Sequence, residues 1–82
     1  MTVYVMELVS ESIRFITKDK EGFIQEVEKK LKEGVPFDFL GLYEFDTSDE
    51  ETMKFLHKKA DEVDFLAFDV VRFIEKEQEK NK

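Results

Sequence analysis

The run TVYVMELV at residues 2–9 constrains this chain more than any other stretch. In an extended strand, successive side chains point to opposite faces. Here Val3, Val5 and Val9 fall on one face and Tyr4, Met6 and Leu8 on the other. A strand that is apolar on both sides needs cover on both sides, which places it in the middle of a sheet. Ser-Glu-Ser at 10–12 interrupts the run, and IRFIT at 13–17 reads as a second strand, paired with the first as a hairpin.

Eighty-two residues make one domain. A chain this short buries only roughly 60–65% of its unfolded surface, so its core must be dense. Nine Phe and two Tyr supply that core, and with no Cys neither a disulfide nor a thiolate zinc site holds it. Phe23, Ile24, Val27 and Leu31 recur at helical spacing, with Thr17 or Asp19 as the cap. Gly34 suits the left-handed residue that ends a helix, and Pro36 prevents resumption. PFDFLGLYEF at 36–45 reads as a strand. Its Phe37, Phe39, Tyr43 and Phe45 share one face, and Gly41 among them marks a bulge or a close approach by another backbone. A second helix starts near Ser48 and carries Met53, Leu56, Ala60 and Val63 on its apolar stripe.

Residues 64–74, DFLAFDVVRFI, fit two patterns. Alternation and β-branched content favour a strand, while Val63, Leu66, Ala67, Val70 and Ile74 also share a helical face. The strand is preferred, because a ββαβαβ order gives each amphipathic helix a sheet to cover. The expected architecture is a single α+β domain over 1–74, two helices on a mainly antiparallel sheet. A charged tail at 75–82, frayed or disordered, follows it.

The formal net charge of −7 argues against free nucleic acid as a partner, since that affinity rests on Lys and Arg. An anionic membrane surface is disfavoured for the same reason. No apolar run approaches the roughly 20 residues that cross a bilayer, and the N-terminus lacks the basic start of a signal peptide. The expectation is a soluble, cytoplasmic protein. Eleven Lys against two Arg, many Glu and no Cys also fit a heat-adapted surface.

EFDTSDEET, residues 44–52, carries the sharpest chemical signal: five carboxylates in nine residues and no base. Calcium takes roughly 6–8 oxygen ligands. Asp46, Asp49, Glu50 and Glu51 are the candidate ligands, with Thr47, Ser48 and carbonyls adding neutral oxygens. Hard oxygen donors favour calcium, magnesium or manganese over zinc. The pattern is not an EF-hand: counting from Asp46, Glu51 stands where Gly is required and His57 where Glu is required. The competing reading is structural. Thr47-x-x-Glu50 and Ser48-x-x-Glu51 both match a capping box, and acidic residues suit the positive end of a helix. Glu7, Asp38, Glu44 and Asp69 are further carboxylates that either join the cluster or, as for Glu7 with Arg14, pair across the sheet.

Other chemistry finds little support. His57 is the only histidine and reads as a surface residue able to pair with Asp61. No nucleophile motif and no glycine-rich phosphate cradle occurs, so no enzyme is expected. The Phe-rich surface is core in the first instance. Any surplus of it supports a second function: a metal-free protein–protein interaction module, as a homodimer or a small subunit docked on a larger protein partner.

FDFLGLYEFDTSDEE at 37–51, taken with the hairpin-like acidic start, resembles a small archaeal family of unknown function from methanogens. That resemblance spans nearly the whole chain. It implies a compact, heat-stable α+β domain with calcium as its cofactor, carried onto Asp46, Asp49, Glu50 and Glu51. The expectation is thus a non-enzymatic acidic domain with an irregular divalent-cation site, and the interaction module is its rival.

Overall fold

The computed structural model describes residues 1–80. In chain order it holds β1 (Thr2–Leu8), β2 (Ile13–Thr17), α1 (Lys20–Lys32), β3 (Leu40–Asp46), α2 (Glu50–Asp61) and α3 (Phe65–Lys80). The chain is α+β, and it divides into two packed units: Thr2–Phe45, and Met1 with the residues from Asp46 onward.

The first unit is a three-stranded sheet in the order β2-β1-β3, with α1 packed on β1 and β2. The two-faced strand is central, as its pattern requires. β1 and β2 pair antiparallel, with Leu8 opposite Ile13 and Tyr4 opposite Thr17. A 3₁₀ turn at Val9–Glu11 and a left-handed Ser12, at φ 54°, make the connection. Thr47, just past β3, donates its N–H to the Met1 carbonyl, just before β1, at 2.9 Å, so these strands are also antiparallel. On one face, Phe15, Phe23, Val27 and Val35 pack around buried Met6, Leu8 and Leu40. The Tyr4 and Phe23 rings stack there, 5.4 Å apart. Val3 and Val5, on the other face of β1, are fully buried.

The ends of α1 follow the expected chemistry. Asp19 caps its start by accepting from the Glu21 N–H, and the Thr17 hydroxyl oxygen accepts from the Asp19 N–H. At its end the Gly34 N–H donates to Leu31 O and the Val35 N–H to Lys30 O, both at 3.1 Å. This pair of reversed bonds requires a left-handed residue, and Gly34 supplies it at φ 92°.

Three expectations are corrected, two of them small. Residues 36–39 do not open the third strand. With Pro36 fixing the entry, Phe37–Phe39 make a 3₁₀ turn closed by the Phe39 N–H on Pro36 O at 2.9 Å, and β3 begins at Leu40. The close approach at Gly41 also comes from a ring rather than a backbone, because a Cβ there would lie 3.0 Å from the Tyr43 ring edge.

The larger correction is residues 64–74. They form helix, not strand, so the order is ββαβαα rather than ββαβαβ. Asp64 decides it locally: its Oδ1 accepts from the Leu66 and Ala67 N–H groups at 3.0 and 3.2 Å, an N-cap that starts a helix. Ala67, Val70, Val71 and Ile74 are then buried at spacings of three and four. Good helix formers carry α3 on through Lys80, and Glu77 on its last turns is buried. Asn81 and Lys82 of the expected tail lie outside the described residues.

In the second unit α2 and α3 pack on each other. They are joined by three residues, Glu62–Asp64. The Val63 N–H donates to Ala60 O at 3.1 Å and the Asp64 N–H to Lys59 O at 3.0 Å, the same reversed pair that ends α1. Here the left-handed residue is Val63, at φ 67°. A β-branched side chain is poorly tolerated there, at a cost of about 1–2 kcal/mol. Val63 is 71% exposed, so its side chain recovers little of that by burial. Val63→Gly is expected to stabilise the chain by about 1 kcal/mol, raising the thermal midpoint by roughly 4–8 °C in a calorimetric scan.

Candidate functional site

The acidic stretch straddles the end of β3 and the start of α2. The Asp49 N–H donates to Asp46 O at 3.2 Å, making residues 46–49 a tight turn. Asp46 heads it. Its Oδ1 accepts the Ser48 hydroxyl at 2.6 Å and the Ser48 N–H at 3.0 Å. The Ser48 hydroxyl, then its N–H, hold the Asp46 carboxyl below its ordinary titration range. Thr47 turns its hydroxyl the other way, donating to the Met1 carbonyl at 2.7 Å.

Neither expected capping box forms. Both require Thr47 or Ser48 at the N-cap, whereas α2 is capped at Asp49, and the two hydroxyls donate instead to the Met1 carbonyl and to Asp46. The Asp49 side chain makes no cap bond, and its Oδ2 accepts from the Thr52 hydroxyl at 2.7 Å. Glu50 and Glu51 sit in the first turn of α2, where the helix end favours negative charge. The Glu50 carboxylate lies 3.8 Å from the Lys54 ammonium, one turn along.

Among the described residues, no three His, Asp or Glu side chains are grouped so as to hold a metal ion. The four candidate ligands are strung along a turn and a helix start. Of the other carboxylates, Glu7 accepts from Arg14 Nε at 2.7 Å as its direct cross-strand partner. Asp38 lies in the 3₁₀ turn before β3, and Asp69 lies on α3, not on a strand. His57 is exposed on α2.

A different surface stands out at the α2–α3 corner, and the sequence reading missed it. Ala60, Val63, Phe65 and Phe68 line an apolar hollow of about 270 Å³. Phe65 is 66% exposed and Phe68 46%. The Arg72 guanidinium stands over the Phe68 ring at 5.7 Å, and Lys59 over the Phe55 ring at 5.8 Å. Both cations sit one helical turn after their rings, so each roofs an aromatic that the fold leaves open. The available signal was Phe65 and Phe68 spaced off the buried stripe of α3, a spacing hidden by reading the segment as a strand.

Among the described residues, no helix is long and apolar enough to cross a membrane. No family model, curated protein or solved structure matches the chain.

Two measurements test the acidic turn. In Ser48→Ala the Asp46 carboxyl loses the larger cause of its lowered titration. Its midpoint, followed by side-chain carbon NMR, should move up toward the ordinary carboxylate range. In the parent chain the low midpoint means that the turn's contribution is complete above the ordinary range and is lost only as pH falls through the lowered value. Calcium added at about 0.1 M salt is expected to give weak, unsaturated amide shifts spread over the acidic surface. Saturable shifts confined to residues 44–52 would instead establish a cation site there.

Proposed function

We propose that this chain is a non-enzymatic protein–protein interaction domain that docks through the apolar corner between α2 and α3. The observation that supports this is Val63 with its neighbours. A strained valine and two phenylalanines are left in solvent at one corner. Full burial of each such side chain is worth about 1.5–3 kcal/mol, so leaving all three open forgoes several. A docked partner offsets that loss. Calcium at Asp46, Asp49, Glu50 and Glu51 is the weaker reading. The Asp46 and Asp49 carboxylates are engaged by Ser48 and Thr52, and the positive end of α2 opposes a cation on the same ground.

The test is selection of a peptide-display library on the whole chain. Enriched peptides with apolar anchors are expected, and Phe65→Ser and Phe68→Ser should each weaken their binding about tenfold or more, near 1.4 kcal/mol. Both rings are exposed, so the amide spectrum of the variants should keep its dispersion. A selection that yields no binder weakened by either substitution would overturn this reading. A concentration-dependent mass abolished by Phe65→Ser would identify the partner as a second copy of the chain.

A further inference from the structure

The charge of this chain is unevenly placed. Between Glu33 and Met53 stand seven acidic residues and no Lys or Arg, while the rest of the chain holds thirteen of each sign. The whole net charge of −7 therefore belongs to one segment, and β3 runs through its middle.

That strand is also the least covered. Among the described residues its one strand neighbour is β1, so no strand pairs with its far edge, the kind of edge that can accept another chain. A helix with its side chains is roughly 10–12 Å wide, and strands lie about 4.8 Å apart, so one helix covers about two strands. Helix α1 packs mainly on β1 and β2 and reaches β3 at buried Leu40, which leaves the strand beyond Leu40 less covered. The consequence is visible at Leu42, Tyr43 and Glu44: three consecutive residues, pointing to alternate faces, are all exposed. Beside them is a groove of about 210 Å³. Tyr4 and Phe23 line it together with Ile24 on the α1 side and Leu42 and Glu44 on the β3 side. Lys20 also lines the groove on the α1 side, so its acidic border is the strand.

Independently of the α2–α3 corner, we infer that β3 accepts a basic, extended segment of a partner protein as an added strand. Backbone pairing along the free edge supplies affinity, and alternate side chains supply selectivity. Apolar side chains on one face of the incoming strand meet the groove at Ile24 and Leu42. Lys or Arg beside them meet Glu44, Asp46 and Asp38. A second copy of this chain is a poor occupant. Pairing β3 with β3 would bring Glu44 and Asp46 of both copies to one edge with no base on either strand, and like charges at such close quarters are destabilising.

The probe is a nine-residue, end-capped peptide alternating lysine with valine, titrated into the isotope-labelled whole chain at about 0.15 M salt. Saturable amide shifts centred on residues 37–46 are expected, with slowed exchange of edge amides in β3. Glu44→Lys should weaken binding about tenfold, and Phe65→Ser should leave it unchanged. Leu42→Ser is a second variant, expected to weaken binding without reversing charge. Replacing every lysine of the peptide by glutamate, or its central valine by proline, should abolish the shifts. No saturable shift, equal binding of the glutamate or proline peptide, or shifts centred on residues 60–68 would each overturn the assignment to β3. Shifts centred on residues 60–68 would move this peptide to the α2–α3 corner, which the display selection with Phe65→Ser tests separately.

Discussion

The strand β1 cannot tolerate solvent on either face, and the first unit is organised by that constraint. Val3 and Val5 are fully buried on one side, and Met6 is 2% exposed on the other. A strand of this kind needs a neighbour on each edge, and β2 and β3 provide them. It also needs an apolar layer over the Met6 face, which α1 supplies through Phe23 and Val27. The cover is placed where β1 requires it. Ile24 and Leu31 on α1, and Leu42 and Tyr43 on β3, remain exposed because none of them is needed to close that core.

Two helices end by the same hydrogen-bond device with different residues. After α1 the left-handed position is glycine, which adopts it without penalty. After α2 it is valine, whose branched side chain resists the conformation. Local conformational preference and tertiary position therefore agree at Gly34 and conflict at Val63. Conflicts of this kind persist where surrounding structure over-determines them, and they concentrate at binding sites. Asp64 helps to over-determine this one, since capping α3 with its carboxylate fixes the chain immediately after the strained residue.

The first half of the chain was legible because its signals are local and mutually consistent. Two-faced apolar text defined β1, and Asp19 and Gly34 bounded α1 at the expected places. The Glu7–Arg14 pair was also readable, because opposite charges inside two paired strands have few other partners. The second half was less legible for a physical reason. In DFLAFDVVRFI, apolar residues are so frequent that periods of two and of three to four both fit, and only the Asp64 cap breaks the tie. The preference for a sheet under each helix then favoured the wrong alternative, since helices also bury apolar stripes on one another. The acidic turn was located correctly, but the direction of its hydroxyl groups was not. Whether Thr47 and Ser48 donate or accept depends on nearby acceptors, and one of these, the Met1 carbonyl, is 46 residues away in sequence.

The Glu7–Arg14 pair has a consequence beyond its modest energy as a partly exposed bridge. The two side chains face each other across β1 and β2 on the opposite face from Met6 and Phe15. Strand side chains repeat every two residues, so a slip of one position would turn all of β2 over. Arg14 would then be driven against the methionine and leucine beneath α1, and Phe15 would be set against a carboxylate. Desolvating an unpaired guanidinium costs far more than the bridge contributes in place. The pair thus works as a key: it adds little to the strength of the hairpin, and it makes the misaligned hairpin the expensive one.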